Sequence, residues 1–196
     1  MRRPLWPALV ALWFPLLAHA HTGLSAEGFL SGFLHPVFGF DHFLAMLSVG
    51  IVSTQLGGWS IWTVPGTFVT FMIIGGIAGA YGSEWPFGEI GIATSVIVLG
   101  IAIAVVKSDS PRLAVMAITA FFGCLHGHAH GVEMPRAADP VFYAGGFVMS
   151  TALIHLLGVG VGYVMTRKHY LVTILQHAGS AIAGIGLMIL IQVWHI

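Results

Sequence analysis

Six apolar stretches, each long enough to cross a bilayer, leave this chain almost no soluble alternative. They run near Ala26–Gln55, Trp59–Ala80, Glu89–Val106, Arg112–Gly131, Val141–Met165 and Leu171–Trp194, and a spanning helix needs about 20 residues. The breaks between them carry turn chemistry: Gly57-Gly58, Gly82-Ser83-Glu84-Trp85-Pro86, Ser108-Asp109-Ser110-Pro111, and Met134 to Pro140. Only 7% of the residues are charged, against about 25% in a soluble domain. Too little polar surface exists to coat a soluble fold. The expected fold is therefore all-α: a polytopic membrane protein of six transmembrane helices.

Ahead of the first stretch, Met1–Ala20 has the three parts of a cleavable signal peptide. Arg2 and Arg3 precede an apolar run from Leu5 to Leu17, and Ala18-His19-Ala20 forms an A-x-A cleavage site. Residues 21–196 then form one six-helix membrane domain, with its mature N-terminus outside the cytoplasm. The charges agree. In that orientation the cytoplasmic loops hold Lys107, Arg112, Arg167 and Lys168. The opposite side holds Arg136 alone beside Glu27, Glu84, Glu89, Glu133 and Asp139, as the positive-inside rule expects.

Net charge is zero with histidine neutral and there is no basic stripe, so nucleic acid has no electrostatic footprint to bind. The single cysteine, Cys124, excludes an internal disulfide framework. Eleven histidines outnumber the seven lysines and arginines together, a balance that fits metal or proton handling better than solvation.

Two histidine–carboxylate clusters interrupt the apolar segments. The first is His35-Pro36-Val37-Phe38-Gly39-Phe40-Asp41-His42, and the second is His126-Gly127-His128-Ala129-His130-Gly131-Val132-Glu133. Ionisable groups in hydrocarbon are expensive and mark ion pathways. Imidazole nitrogen with carboxylate oxygen is a ligand set for nickel, cobalt or zinc. The first segment enters from outside and the fourth exits there, so both clusters fall at similar depth on one side and are expected to form one site.

The first segment is too long to run straight through a bilayer. It must tilt, kink or begin as a half-helix. Pro36 disfavours helix at His35, Gly39 adds flexibility, and a break at Pro36–Gly39 would release the ligands from a single helical face. On an unbroken helix His35 and His42 would share a face, with Asp41 turned away. In the fourth segment His126, His130 and Glu133 share one helical face. His126 and His130 are expected ligands, while His128 points elsewhere, as an accessory ligand or a histidine bonded to a carbonyl. Glu133 reads three ways: ligand, partner fixing an imidazole, or charge at an outer funnel. Asp41 has the same ambiguity. His155 could line the same pathway or sit as a core histidine, and His177 reads as a structural hydrogen-bonder. His21 could bind through its ring and a new α-amine, though a flexible terminus is the default. Met46 reads as packing and Cys124 as a small buried hydrophobe.

Runs such as Gly75-Gly76-Ile77-Ala78-Gly79 and 179–186 let helix backbones approach closely. One histidine cluster in the first span of each half suggests inverted 3+3 halves, although the halves share little sequence.

The strings His35-Pro36-x-x-Gly39-x-Asp41-His42, continuing into Leu44-Ala45-Met46, and His126-Gly127-x-Ala129-His130-Gly131-x-Glu133 closely resemble the signatures of the HupE/UreJ family of nickel/cobalt permeases. The resemblance covers the mature chain and implies uptake of Ni2+ or Co2+ across the bacterial inner membrane, supplying hydrogenase, urease or cobalamin synthesis. His35, Asp41, His42, His126, His130 and Glu133 match the family positions; His128 occupies a variable one. No phosphate-binding loop is present, so ATP hydrolysis by this chain is not expected. A dication entering gains roughly 4.6 kcal/mol per 100 mV, enough for accumulation driven by membrane potential, with a coupled ion as the alternative. Acid should compete, because imidazoles bind metal only when neutral. Rival readings are a haem-binding electron-transfer subunit, a membrane metal sensor or assembly factor, and an intramembrane protease. For the last there is no H-E-x-x-H and no serine motif, and no enzymatic activity is expected.

Overall fold

The computed structural model describes residues 24–82, 85, 88–135 and 138–194, with side chains from residue 28 onward. The expected signal segment, His21, Glu84, Arg136 and His195 fall outside them. Among the described residues there are seven helices and no strand: α1 (Leu24–Phe38), α2 (Phe40–Leu56), α3 (Ser60–Ala80), α4 (Gly88–Val105), α5 (Arg112–Glu133), α6 (Pro140–Met165) and α7 (His169–Trp194). Five of them, α3 to α7, are long and apolar enough to cross a bilayer. The first apolar stretch becomes two helices bent by 77°.

That bend is made locally. Pro36 sits in the last turn of α1 and has no N–H to extend the ladder. Gly39 then leaves the helix at φ −72°, ψ 100°. Its N–H still donates to the His35 carbonyl at 2.8 Å, and its own carbonyl accepts from Phe43 at 2.8 Å. Both main-chain groups of Gly39 thus stay paired at the turn in an apolar setting.

Beyond the bend, α2 becomes the hub of the molecule, packing against all six other helices. Met46, Val49 and Val52 of α2 are fully buried beside Phe68 of α3 and Val96 and Ile103 of α4. Hydroxyls on this helix are satisfied internally: Ser48 donates to the Leu44 carbonyl and Ser53 to that of Gly50, both at 2.6 Å. Outside, α3 and α7 expose Ile73, Ile74, Ile77, Leu187 and Ile191, an exterior suited to lipid tails rather than water.

The helices pair as α3 with α5, α4 with α7, and α1 and α2 with α6. Glycine makes these contacts close. A Cβ on Gly127 would overlap the Met72 carbonyl, and one on Gly50 would overlap that of His155. The seams correspond. Gly75 meets the Cys124 carbonyl as Gly158 meets that of Leu47, and Gly79 meets His128 as Gly162 meets Ile51. Residues of α5 stand 77 positions after their counterparts in α2, and residues of α6 stand 83 after theirs in α3.

Candidate metal centre

The start of α2 and the end of α5 meet at one end of the bundle, so the two clusters come together. One nitrogen each of His35, His42 and His130 lies within 4.8 Å of the other two. The His42 and His130 ring centres are 4.5 Å apart, as are those of His35 and His130, and His126 stands 5.2 Å from His42. His42, His126 and His130 are buried, and His35 is half-buried at the rim.

Hydrogen bonding dictates two of the tautomers. Nδ1 of His42 lies 2.6 Å from Oδ1 of Asp41, which also accepts from the His42 main-chain N–H at 2.8 Å. An ionised carboxylate can only accept, so Nδ1 keeps the ring proton and donates it to Asp41, leaving the lone pair on Nε2. His126 repeats the device: its Nδ1 is 2.9 Å from the Phe122 carbonyl, and a carbonyl can only accept. Both Nε2 atoms are buried without a partner, as are both ring nitrogens of His130. Buried polar groups normally find partners. Here the nitrogens of three histidines gather within 4.8 Å of one another, and His126 adds a buried Nε2 without a protein partner.

A group of this kind can hold a metal ion. Nitrogens bound tetrahedrally to one ion at about 2.1 Å stand about 3.4 Å apart, so rings whose nitrogens lie within 4.8 Å of one another close in by up to about 1.4 Å to share it. Asp41 fixes His42 rather than standing among the converging nitrogens, and its negative charge beside that ring favours a dication. Glu133 lies 4.0 Å from Nδ1 of His130, beyond a hydrogen bond, and next to Glu89 of α4.

The remaining histidines go elsewhere. His128 is buried but stacks on Trp85 at 4.1 Å with an 8° interplanar angle, away from the cluster. His155 is buried against Phe68. His169 and His177 are exposed. Met46 is fully buried packing, and Cys124 is partly buried with a free thiol. Sequence reasoning did not single out Phe147, whose ring lies 4.3 Å from His130 and walls the cluster. It also passed over Phe68, 5.3 Å from His126. As aromatics on apolar faces, both carry the signal of ordinary core. A crevice of about 180 Å³ between α3, α5 and α6 runs past His130. Met72, Ile77, Pro140 and Phe147 line it, too apolar a wall to carry a cation.

Comparison with known proteins places the chain in a family. No solved structure matches the chain. Protein HupE of Rhizobium leguminosarum bv. viciae is 41% identical over 185 residues, 93% of this chain and 95% of that one. The family model described as HupE / UreJ protein matches residues 9–189. By both measures the chain belongs to the HupE / UreJ family.

Proposed function

We propose that the chain imports Ni2+ or Co2+ across the bacterial inner membrane through the histidine cluster between α1, α2 and α5. The observation carrying this reading is the convergence of His35, His42 and His130 within 4.8 Å, beside the orphaned Nε2 of His126. In lipid, an uncompensated cluster of this kind is retained for an ion. Nitrogen ligands suit a borderline dication better than Mg2+ or Ca2+. Family membership adds to the argument.

The mature N-terminus and the cluster face the periplasm in this reading, after removal of residues 1–20. Lys107, Arg112, Arg167 and Lys168 flank helix ends remote from His130, where the positive-inside rule puts the cytoplasm. The bent α1–α2 pair counts as one span, giving six. The matching glycine seams support inverted 3+3 halves: α2 begins where α5 ends, so counterparts run in opposite directions. Such halves provide two packings that open a midplane route to alternate sides.

A hydrated dication is drawn in past Glu89 and Glu133, exchanges water for imidazole at the cluster, and is released inward. The membrane potential drives the step, at roughly 4.6 kcal/mol per 100 mV for two charges. Imported metal would feed maturation of a hydrogenase, a urease or cobalamin. Uptake of nickel, cobalt and zinc by cells expressing wild type, His42→Ala and His130→Ala tests the reading. Uptake in wild type and its loss in both variants is expected. Wild-type rates in either variant would contradict it.

A further inference from the structure

His155 is not used by the cluster, yet it is 2% exposed and neither ring nitrogen has a hydrogen-bond partner. An apolar side chain of that volume would fill the same space without the cost of an orphaned polar group. Its ring meets the edge of Phe68 at 5.2 Å, and the Phe68 ring lies 5.3 Å from that of His126. One phenyl ring thus stands between the cluster and a second buried imidazole.

The surroundings of His155 offer further donors. Thr151 lies one turn before it on α6 and Met72 one turn after Phe68 on α3. The Thr151 hydroxyl approaches the Met72 sulfur at 3.8 Å. The offset of 83 that relates α3 to α6 carries Phe68 onto Thr151 and Met72 onto His155. The Phe68–His155 and Met72–Thr151 contacts are therefore equivalent, one from each half. His155 sits where the two halves meet.

We propose that His155 is a second, transient binding point for the transported dication. The ion reaches it from His126 when the Phe68 ring swings aside, and the Met72 thioether and Thr151 hydroxyl complete the donor set. The proposal rests on the import reading above. One imidazole with two weak neutral donors holds a borderline dication less tightly than the clustered imidazoles beside Asp41. The gradient in donor strength favours onward movement over retention.

The full-length protein tests this in two formats: Co2+ binding in detergent, followed by visible absorption, and radioactive Ni2+ uptake into proteoliposomes. His155→Leu should fold at least as stably as wild type, because no hydrogen bond is lost. It should bind Co2+ within about two-fold of wild type yet lose uptake by about ten-fold or more, in the range seen for groups that support metal ligands. His155→Cys, which keeps a metal-binding atom, should recover most of that uptake. Phe68→Ala should let preloaded Ni2+ leak out several-fold faster. Wild-type uptake in His155→Leu, or equal losses in the leucine and cysteine variants, would overturn the proposal and leave the import reading standing. Loss of Co2+ binding in His155→Leu would also overturn it, since His155 would then belong to the outer cluster. No Ni2+ uptake by the wild type would instead bring down the import reading itself.

Discussion

His126 and His130 sit four residues apart on an unbroken helix, whereas His35 and His42 belong to separate helices joined at Gly39. On α5 the helical repeat alone brings two imidazoles to one face. On the other side a 77° bend is needed, with Asp41 beside it to steer the His42 ring. Each region nonetheless supplies one imidazole whose Nδ1 is anchored: His42 by a carboxylate, His126 by the Phe122 carbonyl. The difference lies in the frame. On α5 the unbroken helix places the two imidazoles; on α1–α2 the break at Gly39 and the contact with Asp41 place them.

The largest effect therefore belongs to the converging rings, which both halves share. His42→Ala and His130→Ala should each reduce initial nickel uptake by about 100-fold, at the upper end of losses for metal-site groups. Asp41→Asn comes next. It leaves an oxygen to accept from the His42 ring but removes the negative charge, and should cost uptake about ten-fold. The matching loss on the α5 side has no side chain to mutate, since a carbonyl does the anchoring there.

Gly39→Ala tests the bend more gently. An added Cβ would lie 3.0 Å from Nδ1 of His42 and 3.2 Å from the His35 carbonyl, so the ring must yield by a few tenths of an ångström. Misplacement on that scale degrades a site without abolishing it. A several-fold drop in apparent nickel affinity is expected in the uptake assay, with protein abundance in the membrane unchanged. The smallest effect belongs to His128→Phe. It preserves the stack on Trp85 and removes only an imidazole outside the cluster, so uptake should stay within about two-fold of wild type. A loss as large as that of His130→Ala would show that the second histidine string acts as a unit.

Much of this was readable before any coordinates. The bounds of α3 to α7 fall within about two residues of the apolar segments, because span length and Gly/Pro breaks punctuate them strongly. Convergence of the clusters followed from counting spans and noting which ends they occupy. Length alone leaves the first segment free to tilt, kink or break, with Pro36–Gly39 as the place for a break; the structure takes the last course, bending by 77° at Gly39. What sequence left open was decided by side-chain direction. Asp41 turns back to its own neighbour, which helical spacing alone does not reveal. His128 finds its partner in a loop, at Trp85. The correspondence of halves was hidden for a related reason. It is carried by backbone contacts at Gly50, Gly75, Gly127 and Gly158, while counterpart side chains such as Met72 and His155 differ.

The most direct test of a shared ion is X-ray absorption at the nickel edge of the purified, metal-loaded protein. Nickel should show a nitrogen/oxygen shell with scattering from at least three imidazoles, and either His42→Ala or His130→Ala should remove one of them. Nickel bound with one imidazole or none, or a spectrum that neither substitution alters, would contradict the claim that α1, α2 and α5 hold a single dication between them.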